Sequence, residues 1–250
     1  MTSYIINKHP VHSSSTVIFS LVIPTYNESG NIKKLLESLI NVLDPFLPHS
    51  YEIIVVDDNS PDGTSQEVER LINDHKQIRL LTRKDEKGLS SAVVRGWQAA
   101  QGRYLGVIDG DMQHPPQIMA KLLEGIIHDE KIDLVIASRF VGEGSTGNLA
   151  ISRRIMSSWG RLIGLTLLPK IISRVSDPMS GCFVVRHETI AGCALDPMGY
   201  KILVEVIARA NIKNIKEVSY VFQKRHAGRS KISFNIVFQY ILQLLKLRSR

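Results

Sequence analysis

Short β-branched runs alternate with helically spaced apolar segments along most of this chain, and that alternation restricts it to one class of fold. Val17–Pro24 and Glu52–Asp57 are runs of the first kind. Between them, Ile32, Leu35, Leu36, Leu39, Ile40 and Leu43 recur at helical spacing over Asn31–Leu43. A helix over Thr64–Asp74, a strand over Ile78–Thr82, a helix over Leu89–Gln101 and a strand over Tyr104–Asp109 continue the pattern. Further strands are expected at Leu134–Ser138, Gly181–Arg186 and Asn214–Gln223, and helices at Ser152–Leu167 and Tyr200–Ala210. The pattern predicts a single Rossmann-like α/β domain, a mostly parallel open sheet with helices on both faces. The serine-rich, aperiodic residues 1–16 are expected to be a flexible leader and 17–232 the domain. Residues 233–250 are expected to form an amphipathic, basic, membrane-proximal helix.

Composition narrows the function. With 250 residues, 44% of them hydrophobic, the chain can bury a sizeable core. The net charge of +7 is unevenly placed. No acidic residue follows Glu217, whereas Lys224, Arg225, Arg229, Lys231, Lys246, Arg248 and Arg250 do, so the tail should seek phosphates or acidic lipids. These basic residues lack interleaved aromatics and any recognition motif, which argues against nucleic acid as a partner. No Gly-x-Gly-x-x-Gly follows the first strand, which argues against a dinucleotide. Cys182 and Cys193 fit neither a disulfide framework nor a zinc site, so a reducing compartment is expected. No apolar run approaches the roughly 18 residues that span a bilayer, and Met1–Phe19 does not read as a signal peptide.

In open parallel sheets, ligands bind beyond the carboxyl ends of the strands. Those ends here are Pro24-Thr25-Tyr26-Asn27-Glu28, Asp57-Asp58-Asn59-Ser60 and Asp109-Gly110-Asp111. Asp109, Asp111 and the Gln113 amide oxygen are hard ligands suited to Mg²⁺ or Mn²⁺, which would neutralise a diphosphate leaving group. A solvated acidic turn is the plainer reading of the same residues. Asp57 and Asp58 have the chemistry to accept hydrogen bonds from a base or ribose, or to serve as turn and cap residues. Arg139, Arg153, Arg154, Arg225 and Lys231 form a basic set whose guanidinium forks match phosphate oxygens.

Taken together, Val22-Ile23-Pro24-Thr25-Tyr26-Asn27-Glu28, Val55 to Thr64, and Asp109 to Pro116 resemble family 2 glycosyltransferases of the GT-A fold. Glu86 to Ala92, Ser176 to Gly181 and Arg225 to Lys231 narrow the resemblance to the dolichyl-phosphate (polyprenyl-phosphate) mannose synthases. The resemblance implies that Pro24, Tyr26, Glu28, Val56 and Asp58 hold the nucleoside. It implies that Asp109, Gly110, Asp111 and Gln113 hold the metal and diphosphate, with Asp109, Asp111 and Gln113 as metal ligands. Arg139, Arg225 and Lys231 would contact donor phosphates, and Arg153 and Ser157 would receive the lipid phosphate. Asp111, Arg139 and Arg153 are thus the expected catalytic residues. Gly110 stands where alanine is frequent, and Cys182 where an aromatic is common.

The implied reaction moves mannose from GDP-mannose to dolichyl or polyprenyl phosphate with inversion, on the cytoplasmic face of a membrane. The rival readings are glucosyl transfer from UDP-glucose, a polysaccharide synthase and a non-catalytic nucleotide-sugar-binding subunit. Intact Asp109, Asp111 and Gln113 speak against the last. Over Phe234–Leu247, Gln239, Gln243 and Lys246 share one helical face opposite a broad apolar one. That segment is expected either to pack as a terminal helix or to lie at a lipid headgroup surface.

Overall fold

The computed structural model describes residues 4–7, 16–147, 151–227 and 234–249, leaving aside the side chains of 151–158 and 234–236. The first half follows the expected alternation through β2 (Phe19–Thr25), α1 (Ser29–Leu43), β3 (Tyr51–Asp57), α2 (Thr64–Asp74), β4 (Ile78–Thr82), α3 (Leu89–Ala99) and β5 (Tyr104–Val107). The second half carries α4 (Ile118–Ile127), β6 (Leu134–Ser138), α5 (Ile151–Leu167), α6 (Pro169–Ile172), β7 (Phe183–Arg186) and α7 (His187–Ile190). It ends with β8 (Ala194–Leu195), α8 (Ile202–Arg209), β9 (Ile215–Ser219) and α9 (Phe234–Arg248).

Seven strands form one sheet in the order β4-β3-β2-β5-β7-β6-β9. All neighbours in it are parallel except β7, which runs antiparallel to both β5 and β6. The inner strands β2, β3, β5, β6 and β7 are buried on both faces, and their residues sort by parity. Leu21, Ile23, Ile53, Val55, Val135 and Ala137 join the core beneath α1, α2 and α4, whereas Val22, Ile54, Val56, Leu134 and Ile136 join the core beneath α3 and α8. Sheets of this kind need helices on each face, which is why strand and helix alternate in the sequence.

Three differences from the sequence expectation, and one choice that it left open, have physical causes. Helix α4 was not anticipated; Pro115 and Pro116 precede it, and Ile118, Met119, Leu122, Leu123 and Ile126 form its buried side. The last strand stops at Ser219, short of Gln223, because its partner β6 ends at Ser138, opposite Ser219, while Tyr220 and Phe222 stay buried in the core. Within the segment expected as a loose leader, β1 (Tyr4–Ile5) pairs antiparallel with β8, and Ile6 is fully buried. The open choice concerned α9, expected either to pack as a terminal helix or to lie at a headgroup surface, and it packs. Its Tyr240 and Leu244 pack with Leu168, Ile172 and Val204, and a Cβ on Gly164 of α5 would stand 2.9 Å from the Tyr240 hydroxyl. Its polar stripe faces the protein: Gln243 is buried and donates to the Lys201 carbonyl at 3.2 Å, and Lys246 pairs with Asp196. Phe238, Leu242 and Leu245 remain exposed. Among the described residues, no helix is long and apolar enough to cross a membrane.

Candidate active site

The turns that follow β2 and β3 are stitched together by short polar side chains. Asn27 N–H donates to Ser60 Oγ at 2.9 Å, Glu28 N–H to Thr64 Oγ1 at 2.9 Å, and Ser29 N–H to Asp62 Oδ2 at 3.0 Å. Asn27 and Asn59 take positive φ of 55° and 53°, a conformation asparagine tolerates, and so turn the chain at each strand end. Asp57 belongs to this scaffold: it accepts from Thr25 Oγ1 at 3.0 Å, Ser60 Oγ at 2.5 Å and Ser65 Oγ at 2.8 Å. Asp58 is buried, and Arg83 Nε donates to its Oδ1 at 2.7 Å while the Gly88 N–H donates to Oδ2 at 2.7 Å. Arg83 lies immediately after β4, a strand-end position that the same inspection of strand ends would have reached.

Beyond β5, Met112 has φ of 60°, a costly conformation for a residue with a Cβ, and it bends the chain so that Asp111 Oδ1 accepts the Gln113 N–H at 3.1 Å. Asp109 and Asp111 then share one polar patch. Burial first, and the Asp111 charge second, raise the Asp109 carboxyl from the usual 3.8 to about 7. Arg225 reaches across from the other end of the chain, with Nη2 2.6 Å from Asp111 Oδ2 and Nη1 3.3 Å from Glu28 Oε1. Beside them His114 is buried and stacked on Tyr220, ring centroids 5.1 Å apart. Burial, with the Arg139 charge adding to it, pushes His114 down to about 3, so the ring is neutral.

The third group surrounds the loop into β7. Asp177 is fully buried and clamps Arg139 through Nε and Nη2, both at 2.7 Å. Such a two-point clamp fixes the guanidinium plane and leaves Nη1 without a bond among the described residues. A Cβ on Gly181 would collide with the Asp109 carboxylate, so only glycine lets this loop press against the acid turn. Lys201 Nζ donates to the Met179 carbonyl at 3.0 Å. Asp177 and His114 lay inside runs that carried the family resemblance, but no local pattern marked Lys201.

Residues from all three groups line one cavity of about 630 Å³. Of the expected nucleoside contacts, Pro24, Tyr26, Glu28 and Asp58 line it. Val56 is absent from its walls; its side chain is fully buried under α3. Asp109, Gly110, Asp111, Gln113, Arg139 and Arg225 line it as well. Arg153 and Ser157 lie on α5, with side chains outside the described set, and Lys231 lies outside the described residues altogether. One half of the cavity is therefore acidic and polar. The other half is walled by Trp159 and Ile163 of α5, Met179, and Val237 and Tyr240 of α9.

Comparison with known proteins agrees with this geometry. The sequence profile of glycosyl transferase family 2 matches residues 20–191. A dolichol-phosphate mannosyltransferase of Pyrococcus furiosus is 38% identical over 228 residues, covering 91% of this chain and 63% of that protein. The chain thus spans less than two thirds of the length of this relative. A Saccharomyces cerevisiae protein of the same name is 35% identical over 241 residues, covering 93% of this chain and 87% of that one. Among solved structures, glucosyl-3-phosphoglycerate synthase of Mycobacterium tuberculosis in complex with uridine diphosphate superposes with a TM-score of 0.71 at 19% identity, covering 99% of this chain and 88% of that one. That likeness bears on the fold, whereas the profile and the sequence relatives bear on descent: this chain belongs to glycosyl transferase family 2, among relatives named dolichol-phosphate mannosyltransferase.

Proposed function

We propose that the protein transfers mannose from GDP-mannose to the phosphate of a dolichyl or other polyprenyl phosphate. The observation that carries this reading is the two-part cavity, in which an acid-and-arginine half adjoins an apolar half walled by α5 and α9. A nucleoside diphosphate suits the first, and an isoprenoid chain ending in phosphate suits the second.

The reaction is a single in-line displacement. A phosphate oxygen of the acceptor attacks the anomeric carbon, the nucleoside diphosphate leaves, and configuration inverts. The nucleophile is already an anion near neutral pH, so a strong general base is dispensable. Glu28 and Asp58 serve the nucleoside, with Asp58 oriented by Arg83 and Gly88. Arg225 and the free Nη1 of Arg139 are suited to the diphosphate, while Arg153 and Ser157 are assigned to the acceptor phosphate. A divalent cation fits the donor set, since two crowded carboxylates, one with its pKa raised to about 7, would be relieved by added positive charge. Asp109, Asp111 and Gln113 would hold Mg²⁺ or Mn²⁺, which supplies charge neutralisation at the diphosphate when bound.

The acceptor places the enzyme at a membrane, and the exposed Phe238, Leu242, Leu245, Trp159 and Leu162 of α9 and α5 support surface association there. The test incubates the protein with labelled GDP-mannose or UDP-glucose, Mn²⁺ and a polyprenyl phosphate in vesicles, then extracts the lipid. Mannose in the lipid fraction is expected. Label from UDP-glucose alone would overturn the sugar assignment, and no label in lipid from either donor would overturn the reaction.

A further inference from the structure

Four basic side chains line the cavity among the described residues, and three of them have a charged or aromatic counterpart. Arg225 bridges Glu28 and Asp111, Arg139 is clamped by Asp177, and the Lys87 ammonium stands 5.6 Å from the centroid of the Tyr26 ring. Lys201 differs. Its ammonium is bonded to the neutral carbonyl of Met179 and forms no ion pair among the described residues. Burial holds its pKa below the ordinary lysine value, while the field of Asp109 opposes that shift. A cation kept in a half-closed site with a carbonyl as its hydrogen-bond partner, and with Asp109 and Asp177 acting on it without contact, is incompletely compensated, and an incoming anion would relieve it.

Its position says which anion. The backbone of 199–201 is tied on both sides: the Gly199 carbonyl accepts the Ser90 N–H at 3.2 Å, and the Lys201 carbonyl accepts Gln243 Nε2 of α9 at 3.2 Å. Met179, which the ammonium touches, also packs against Gly160 of α5. Lys201 therefore stands where the apolar wall built by α5 and α9 meets the acid turn. The diphosphate end of the donor is already assigned to Arg225, which pairs with Asp111 and Glu28, neither of which Lys201 contacts. A ligand whose chain lies along the apolar wall and whose head is a phosphate would bring its charge to Lys201.

We propose that Lys201 is an acceptor-binding cation that receives the phosphate monoester of the polyprenyl acceptor, in addition to the basic residues of α5. The inference rests on the acceptor reading given above. It makes Lys201 a discriminator between prenyl phosphate and prenyl alcohol, since removing the charge costs only the ligand that carries the opposite one.

The experiment titrates farnesyl phosphate, farnesol and GDP separately into the wild type and into Lys201→Gln, Lys201→Met and Lys201→Arg. Gln keeps a hydrogen-bond donor for the Met179 carbonyl and removes only the charge, so it carries the comparison should Met disturb the fold. Lys201→Gln is expected to weaken farnesyl phosphate binding at least tenfold while farnesol and GDP binding stay within twofold, and Lys201→Arg to retain most of the affinity. In transfer assays the KM for the acceptor should rise in Lys201→Gln and the KM for GDP-mannose should not. Unchanged farnesyl phosphate affinity in Lys201→Gln overturns the proposal, as does a loss that falls on GDP instead. A wild type that binds farnesyl phosphate through Lys201 but transfers no mannose leaves this assignment standing and refutes the reaction proposed above.

Discussion

Asp109 and Asp111 stand two residues apart in different electrostatic situations. Asp111 has Arg225 at 2.6 Å, whereas Asp109 is crowded by burial and by Asp111 itself. A carboxyl raised from 3.8 to about 7 binds protons more tightly in the folded than in the unfolded chain, so ionising it opposes folding. The cost is absent below about pH 4, grows through the window between the two values, and is complete above about pH 7. Asp109→Asn in chelator-treated protein should therefore melt higher than wild type at pH 8, by a margin that shrinks toward pH 4. A margin independent of pH in thermal melts would contradict the assignment. Asp111→Asn should leave the fold intact and lower transfer by roughly a hundredfold or more, the usual effect of removing a group that stabilises developing charge. Lipid extraction checks this, and near-wild-type turnover at saturating metal would refute the metal role. These acids were legible because they close apolar strands. Arg83, just past the end of β4, and His114, inside the run Asp109 to Pro116, were within reach of the same reading, whereas Lys201 was not, because what makes it part of the site is contact with residues distant in the chain.

At the scale of elements, α9 shows what periodicity can and cannot convey. The spacing of Gln239, Gln243 and Lys246 marked a helix with a polar stripe, and left open whether it packs as a terminal helix or lies at a lipid surface. The protein supplies polar partners for it, the Lys201 carbonyl and Asp196, so the stripe is turned inward and part of the apolar face is left outside. A sequence pattern measures segregation of polar from apolar residues, but the side that meets the fold depends on what the fold offers there. Helix α4 was legible by the same periodicity: Ile118, Met119, Leu122, Leu123 and Ile126 recur at helical spacing after Pro115 and Pro116, which suit a helix start, and that side is buried under β6 and β7. If the outer face of α9 meets lipid, Phe238→Glu combined with Leu242→Glu should reduce sedimentation with anionic vesicles several-fold and leave GDP affinity unchanged. Equal recovery of variant and wild type in the pellet at low salt would rule out that contact.

For the whole molecule, donor and metal should act as one ligand. Anything that binds only the folded state stabilises it by mass action, about 2.7 kcal/mol at a hundredfold excess over Kd. GDP with Mn²⁺ should raise the melting temperature more than the two separate shifts combined, and a chelator should return most of that gain. Simple additivity in a thermal shift series would show that the two sites are uncoupled. Much of the architecture behind this coupling was readable in advance, because a buried parallel sheet writes its alternation into the chain. The reversal of β7 and the docking of Tyr4–Ile6 were not readable, because they depend on pairing with β5, β6 and β8 rather than on local pattern.

That reversal bears on how such a fold can diversify. Outgoing strands β2, β3 and β5 deliver the acid turns to the ligand edge, while β7 starts at that edge and runs back from it, so the loop that leads into it carries Asp177, Met179 and Gly181 up to those turns. The two deliveries come from separate stretches of chain. Drift in the incoming stretch, together with α5 and α9, can alter which acceptor is welcomed without disturbing the ladder that holds the donor turns. Gly181, pressed against Asp109, is the seam at which the two inheritances are tied, and there the chain has little freedom to change.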